Sequence, residues 1–116
     1  MPKPELEQPK MLAAGKVRNQ VGPLYNVTYP AQRVVVKEFR MSNGHSSPIN
    51  LSVWLDALGA SHLIAPNGLT LDPGDTITLV EDGTEFALDR GQGFLATCDV
   101  DNVVHFVITG IVILEE

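Results

Sequence analysis

Apolar positions in this chain recur with a period of two over short stretches, and clusters of turn residues separate those stretches. The clearest case is Ile49-Asn-Leu-Ser-Val-Trp-Leu55. Ile49, Leu51, Val53 and Leu55 fall on one side of it, with Asn50, Ser52 and Trp54 on the other. A helix would scatter those four apolar residues around its circumference. Thr76-Ile-Thr-Leu-Val80 alternates in the same way. Leu24–Tyr29 is rich in β-branched and aromatic residues and stops at Pro30. Arg33 to Met41 is apolar through Val34-Val-Val36 and then alternates. His62–Ala65, Leu69–Leu71, Glu85–Leu88 and Phe94–Cys98 predict further short strands. Val103 to Leu114 predicts the longest strand, bent at Gly110.

Turn chemistry fills the gaps. Ser42 to Pro48 holds Asn43-Gly44, the strongest local turn signal. In Asp72-Pro-Gly-Asp75, Pro73 presets φ and Gly74 accepts a positive φ. Pro66-Asn-Gly68, Glu81-Asp-Gly83, Asp89 to Gly93 and Asp99 to Asn102 turn the chain again. Turns at intervals of roughly 8–12 residues, with no sustained helical period, predict an all-β fold. The architecture expected for residues 22–116 is an antiparallel β-sandwich, jelly-roll or Ig-like. Residues 1–21 read as an extended N-terminal arm, because Pro2, Pro4 and Pro9 deny the segment regular hydrogen bonding. Met11-Leu-Ala-Ala14 fits one helical turn or an apolar anchor. Ordering such a tail costs about 1–2 kcal/mol per residue, so residues 1–20 are expected to add little to the fold and to order against a partner.

Length and composition sharpen this picture. The 116 residues suit one domain, and 44% hydrophobic content argues against disorder. No apolar run approaches the roughly 18–20 residues of a membrane helix, so no membrane partner is expected. The N-terminus lacks an apolar signal-peptide core, which predicts that the protein stays in the cytoplasm where it is made, unless lysis releases it. A net charge of −6 argues against nucleic-acid binding. The first forty residues carry seven cations against three carboxylates, and the remainder one cation against eleven. That asymmetry fits either docking against charged neighbours, including copies of the same chain, or an uneven solvated surface.

Catalytic chemistry finds little footing. His45, His62 and His105 lack the close spacing of a zinc site, and no phosphate loop or nucleophile elbow is present, so no cofactor or metal is expected. Asp72, Asp75, Glu81, Asp82, Glu85 and Asp89 sit mostly in turn sequences, where carboxylates satisfy local amides. Asn26-Val-Thr28 and Asn50-Leu-Ser52 match the glycosylation pattern but lie in strand sequence. The single Cys98 excludes an intrachain disulfide and reads as a small strand residue. The residues that read as partner-binding are Lys3, Lys10, Lys16 and Arg18 for charge, Met11 and Leu12 as an apolar foot, and Trp54. Trp54 fits both a buried aromatic under a loop and an interface anchor.

The run from Leu24-Tyr-Asn-Val through Pro30-Ala to Ser42-Asn43 resembles the opening of small structural proteins of tailed bacteriophages. Ile49–Leu55, Leu69-Thr-Leu-Asp-Pro-Gly-Asp-Thr-Ile77 and the closing Val103–Ile113 fit the same pattern, and Thr28-Tyr29 departs from it. The resemblance implies a non-enzymatic β-sandwich of the virion. Its expected role is a capsid decoration (cement) protein that binds the major capsid protein or another virion protein, as a homo-oligomer with a trimer favoured. A tail, collar or fibre-base subunit is the second reading. A carbohydrate-binding module with Trp54, Tyr25 and Tyr29 as stacking platforms is the third.

Overall fold

Strands that are apolar on one side need a second surface to cover that side, and here the second surface is another sheet. A computed structural model of the chain describes residues 10–57, 60–64, 68–81 and 86–114. The elements are β1 (Lys10–Lys16), β2 (Gly22–Asn26), β3 (Ala31–Asn43), β4 (Ile49–Ala57), β5 (Ala60–Leu63), β6 (Leu69–Leu71), β7 (Thr76–Val80), β8 (Phe86–Asp89), β9 (Gly93–Cys98) and β10 (Val104–Leu114). No helix occurs among the described residues.

One sheet has the order β1-β10-β3-β7, with β8 also on β3. The other has the order β2-β9-β4-β5, with β6 also on β4. Every pairing is antiparallel. β7 and β8 share the far side of β3, pairing with Phe39–Ser42 and Arg33–Val36 respectively. β5 and β6 divide β4 in the same manner. Counting each such pair as one position leaves eight places in two four-stranded sheets, with the chain passing repeatedly from one sheet to the other. This is the strand order of a jelly roll.

The alternation read from β4 holds. Ile49, Leu51 and Val53 are fully buried, Leu55 packs at the edge of the core, and Asn50 is exposed. From the facing sheet Val34, Val36, Phe39, Met41 and Ile108 fill the other half. The Phe39 and Phe94 rings meet at 4.7 Å between centroids, one from each sheet. Edge-tilted aromatic contact of this kind adds about 0.5–1.5 kcal/mol beyond area burial. Asp75 N–H donates to Asp72 C=O at 3.0 Å and Gly74 has φ 79°, the turn that Pro73-Gly74 was expected to make.

Three expectations change. Met11–Ala14 forms part of β1 and not a helical turn, because β10 offers it a ladder of backbone partners from Gly110 to His105. The segment expected to stand apart from the fold therefore joins it from Lys10 onward, and Val17 is fully buried in the core. Residues 1–9 lie outside the described residues. β3, with 13 residues, exceeds β10, with 11. The register between β10 and β3 does shift between Thr109 and Gly110, where the bend was placed.

Candidate functional site

β1 and β2 are edge strands of opposite sheets on the same side of the sandwich, and a cleft opens between them. Its volume is about 370 Å³. Gly15, Lys16, Arg18 and Gln20 line one wall, Val21 to Leu24 the other, and Ala96 and Phe106 the floor. A Cβ at Gly15 would stand 3.3 Å from the Phe106 ring on the floor, so a larger residue there would crowd the cleft. Val21 is 60% exposed at the rim.

The chain between the two strands is tied down. Val17 N–H donates to Val104 C=O at 2.8 Å, and Asn102 N–H returns to Val17 C=O at 3.0 Å. Cys98 N–H donates to Arg18 C=O at 3.1 Å. The Asp101 carboxylate accepts from Arg18 Nε at 3.3 Å and from Asn19 N–H at 3.1 Å. Arg18 thus spends part of its charge within the fold. Arg33 does the same with Asp89 at 2.9 Å. These two bridges join early cations to late carboxylates, so folding internalises part of the asymmetry along the chain. Both are exposed, and such pairs contribute about 0–1 kcal/mol each.

Four of the expected partner-binding residues lie on β1. Lys10 and Lys16 stand exposed at its two ends, and neither forms an ion pair among the described residues. Met11 is 58% exposed, whereas Leu12 sits at a register shift and packs against the core. Lys16 and Arg18 meet at the cleft, and Lys3 lies outside the described residues. Trp54 is elsewhere. It is half-buried on the outer face of the second sheet, in a cross-strand row with Leu95 and Pro23 on one side and Leu63 on the other.

The three aromatic residues considered as sugar platforms do not share a surface. Tyr25 packs partly against the core. Tyr29 carries the Arg90 guanidinium over its ring at 5.3 Å. Gln20, Val21 and Pro23 are cleft residues that sequence reasoning missed. The available signal was Gly15 and Gly22 bracketing a polar stretch, which is legible only once β1 and β2 are known to be neighbours.

Cys98 is buried, with its thiol 2.9 Å from Val100 C=O. Burial pushes the thiol up, the Val100 contact opposes this, and Asp99 and Asp101 add to the rise. A protonated, enclosed thiol is a packing group. Among the described residues no group of three His, Cys, Asp or Glu is placed to hold a metal ion. No protein-family model and no curated protein sequence matches the chain.

Proposed function

We propose that this protein is a non-enzymatic structural component of a virion, one that binds an assembled phage capsid and stabilises it as a decoration (cement) protein. The observation that carries the reading is the β1 side of the sandwich. There a rigid strand displays Lys10, Met11 and Lys16 beside a cleft lined by Lys16 and Arg18. A basic surface with two exposed apolar residues, Met11 and Val21, suits an acidic protein lattice. The jelly roll serves both viral capsid and lectin domains, so the fold supports the reading only by analogy. A ligand that binds only the assembled lattice stabilises it by mass action.

The test mixes purified protein with undecorated capsids, measures sedimentation with the particle, and follows capsid melting. Binding that raises the capsid melting temperature, and that weakens in Lys10→Glu/Lys16→Glu, is the expected result. Failure to co-sediment with capsids while co-sedimenting with tails would transfer the role to a tail, collar or fibre-base subunit. Affinity for free oligosaccharides alone would favour the carbohydrate-binding reading.

A further inference from the structure

The first sheet ends in β1, with a lysine at each end, and in β7, an uncharged strand flanked by carboxylates. β1 begins at Lys10 and ends at Lys16. β7 is flanked by Asp75 and Glu81, also six positions apart, with Asp72 just before it in the turn. No further strand covers the outer side of β1 or of β7 among the described residues. The two edges also share a level. Lys16 pairs with His105, His105 with Ser42, and Ser42 with Thr76, so one row runs across the whole sheet from the basic edge to the acidic one.

We propose that a second copy of this chain docks its β7 edge against β1, continuing the first sheet from one molecule into the next. β1 runs antiparallel to β10, β10 to β3 and β3 to β7, so β7 of a neighbour in the same orientation arrives antiparallel to β1. Lys16 then stands level with Thr76, one residue from Asp75, while Lys10, whose row runs through Gly110 and Val36 to Phe86, lies at the level of β8. The acidic Asp72–Asp75 turn meets the cleft where Lys16 and Arg18 stand. Asp72 and Asp75 form no ion pair among the described residues, so both remain available to a neighbour.

The charges also select against the alternatives. Two β1 edges would set lysine against lysine, and two β7 edges carboxylate against carboxylate. Lysine on an edge strand is a common guard against such self-pairing. Here the guard blocks the two-fold arrangements and leaves the head-to-tail one. A heterologous contact of this kind builds a ring or an open chain and not a two-fold dimer. The capsid reading uses the same β1 residues, so the two contacts compete for one edge: a chain that assembles yet ignores capsids would remove only that reading, and one that binds capsids as a monomer would remove only this inference.

The experiment measures mass by light scattering and sedimentation velocity on the full chain at low and high salt. Assemblies of three or more 12.6 kDa subunits at low salt, dissociating as salt rises, are expected. Lys16→Glu and Asp75→Lys should each raise the dissociation constant about tenfold, and the double variant should restore it to within about threefold. The salt series requires no variant and so stands even if one of them folds poorly. A monomer at all salt concentrations, a two-fold dimer, or assemblies indifferent to both reversals would overturn the proposal.

Discussion

Asn43 shows how much a single polar side chain decides. It is 2% exposed, and every polar atom of its side chain is used. Nδ2 donates to Leu71 C=O at 2.8 Å and to Ser47 C=O at 3.0 Å, and Oδ1 accepts His45 N–H at 2.8 Å. Its own backbone binds Asp75 C=O and Gly74 N–H, both at 3.0 Å. One residue therefore fastens the β3–β4 connection to the β6–β7 turn. Asn43→Ala would leave the buried Leu71 C=O without its bond and remove the part-buried bonds to Ser47 C=O and His45 N–H, at a cost of about 1–3 kcal/mol. Urea denaturation should register that loss, and a change under about 0.5 kcal/mol, the surface range, would refute the role. The sequence marked Asn43-Gly44 as a turn, but Asn43 is the last residue of β3, Gly44 has no positive φ, and the chain bends just after it, at residues 45–47. The connection leads from one sheet to the other, and its bond to Leu71, 28 residues away, has no signature in the local sequence.

At the scale of elements, β1 is the instructive case. Its sequence, KMLAAGK, is short of β-branched residues and follows a proline-rich start, so local propensity gave no strand. β10 overrides this with a ready row of backbone partners, and the Val17 side chain closes the core. The notion that residues 1–20 are dispensable for folding gives way accordingly. Removing residues 1–17 should cost at least about 3 kcal/mol, from the burial of Val17 and part of Leu12 alone. Denaturation monitored by circular dichroism tests this, and an unchanged midpoint would contradict the packing described. Gly93 belongs to the same scale. A Cβ there would strike Tyr25 C=O, so β2 and β9 can approach only because this position has no side chain.

At the scale of the whole molecule, the buried titratable groups set a direction for stability against pH. Burial raises the Cys98 thiol above its ordinary 9.0 and the Tyr25 phenol above its ordinary 10.0. The fold holds both protonated at pH values where the unfolded chain releases their protons. Their contribution is complete below about pH 9 and is lost as pH rises through the raised values. The melting temperature should therefore fall above pH 9, and Cys98→Ala should make that fall shallower. A melting temperature that holds level to pH 11 would refute it. Folding also rearranges charge at this scale. Arg18–Asp101 and Arg33–Asp89 close within the molecule, while Lys10 and Lys16 stay on one flank and Asp72 and Asp75 on the other.

Local sequence sufficed to place the strands from β2 onward to within about three residues, with β5 at Ala60–Leu63 where His62–Ala65 was expected, and to give the inward face of β4 and the Asp72–Asp75 turn. Each rests on contacts within a few residues: alternation of side chains, the fixed φ of proline, the freedom of glycine. It determined the all-β class for the same reason. Tertiary structure alone decided which strands pair. Apart from β4 with β5, every pairing joins strands separated by other strands or belonging to distant parts of the chain. It also decided that β1 is a strand, that Leu12 faces the core while Met11 does not, and that Lys16 and Arg18 share a cleft with Pro23. Backbone hydrogen bonds in a sheet carry no side-chain signature of their partner, so pairing emerges only when the two apolar faces close on each other.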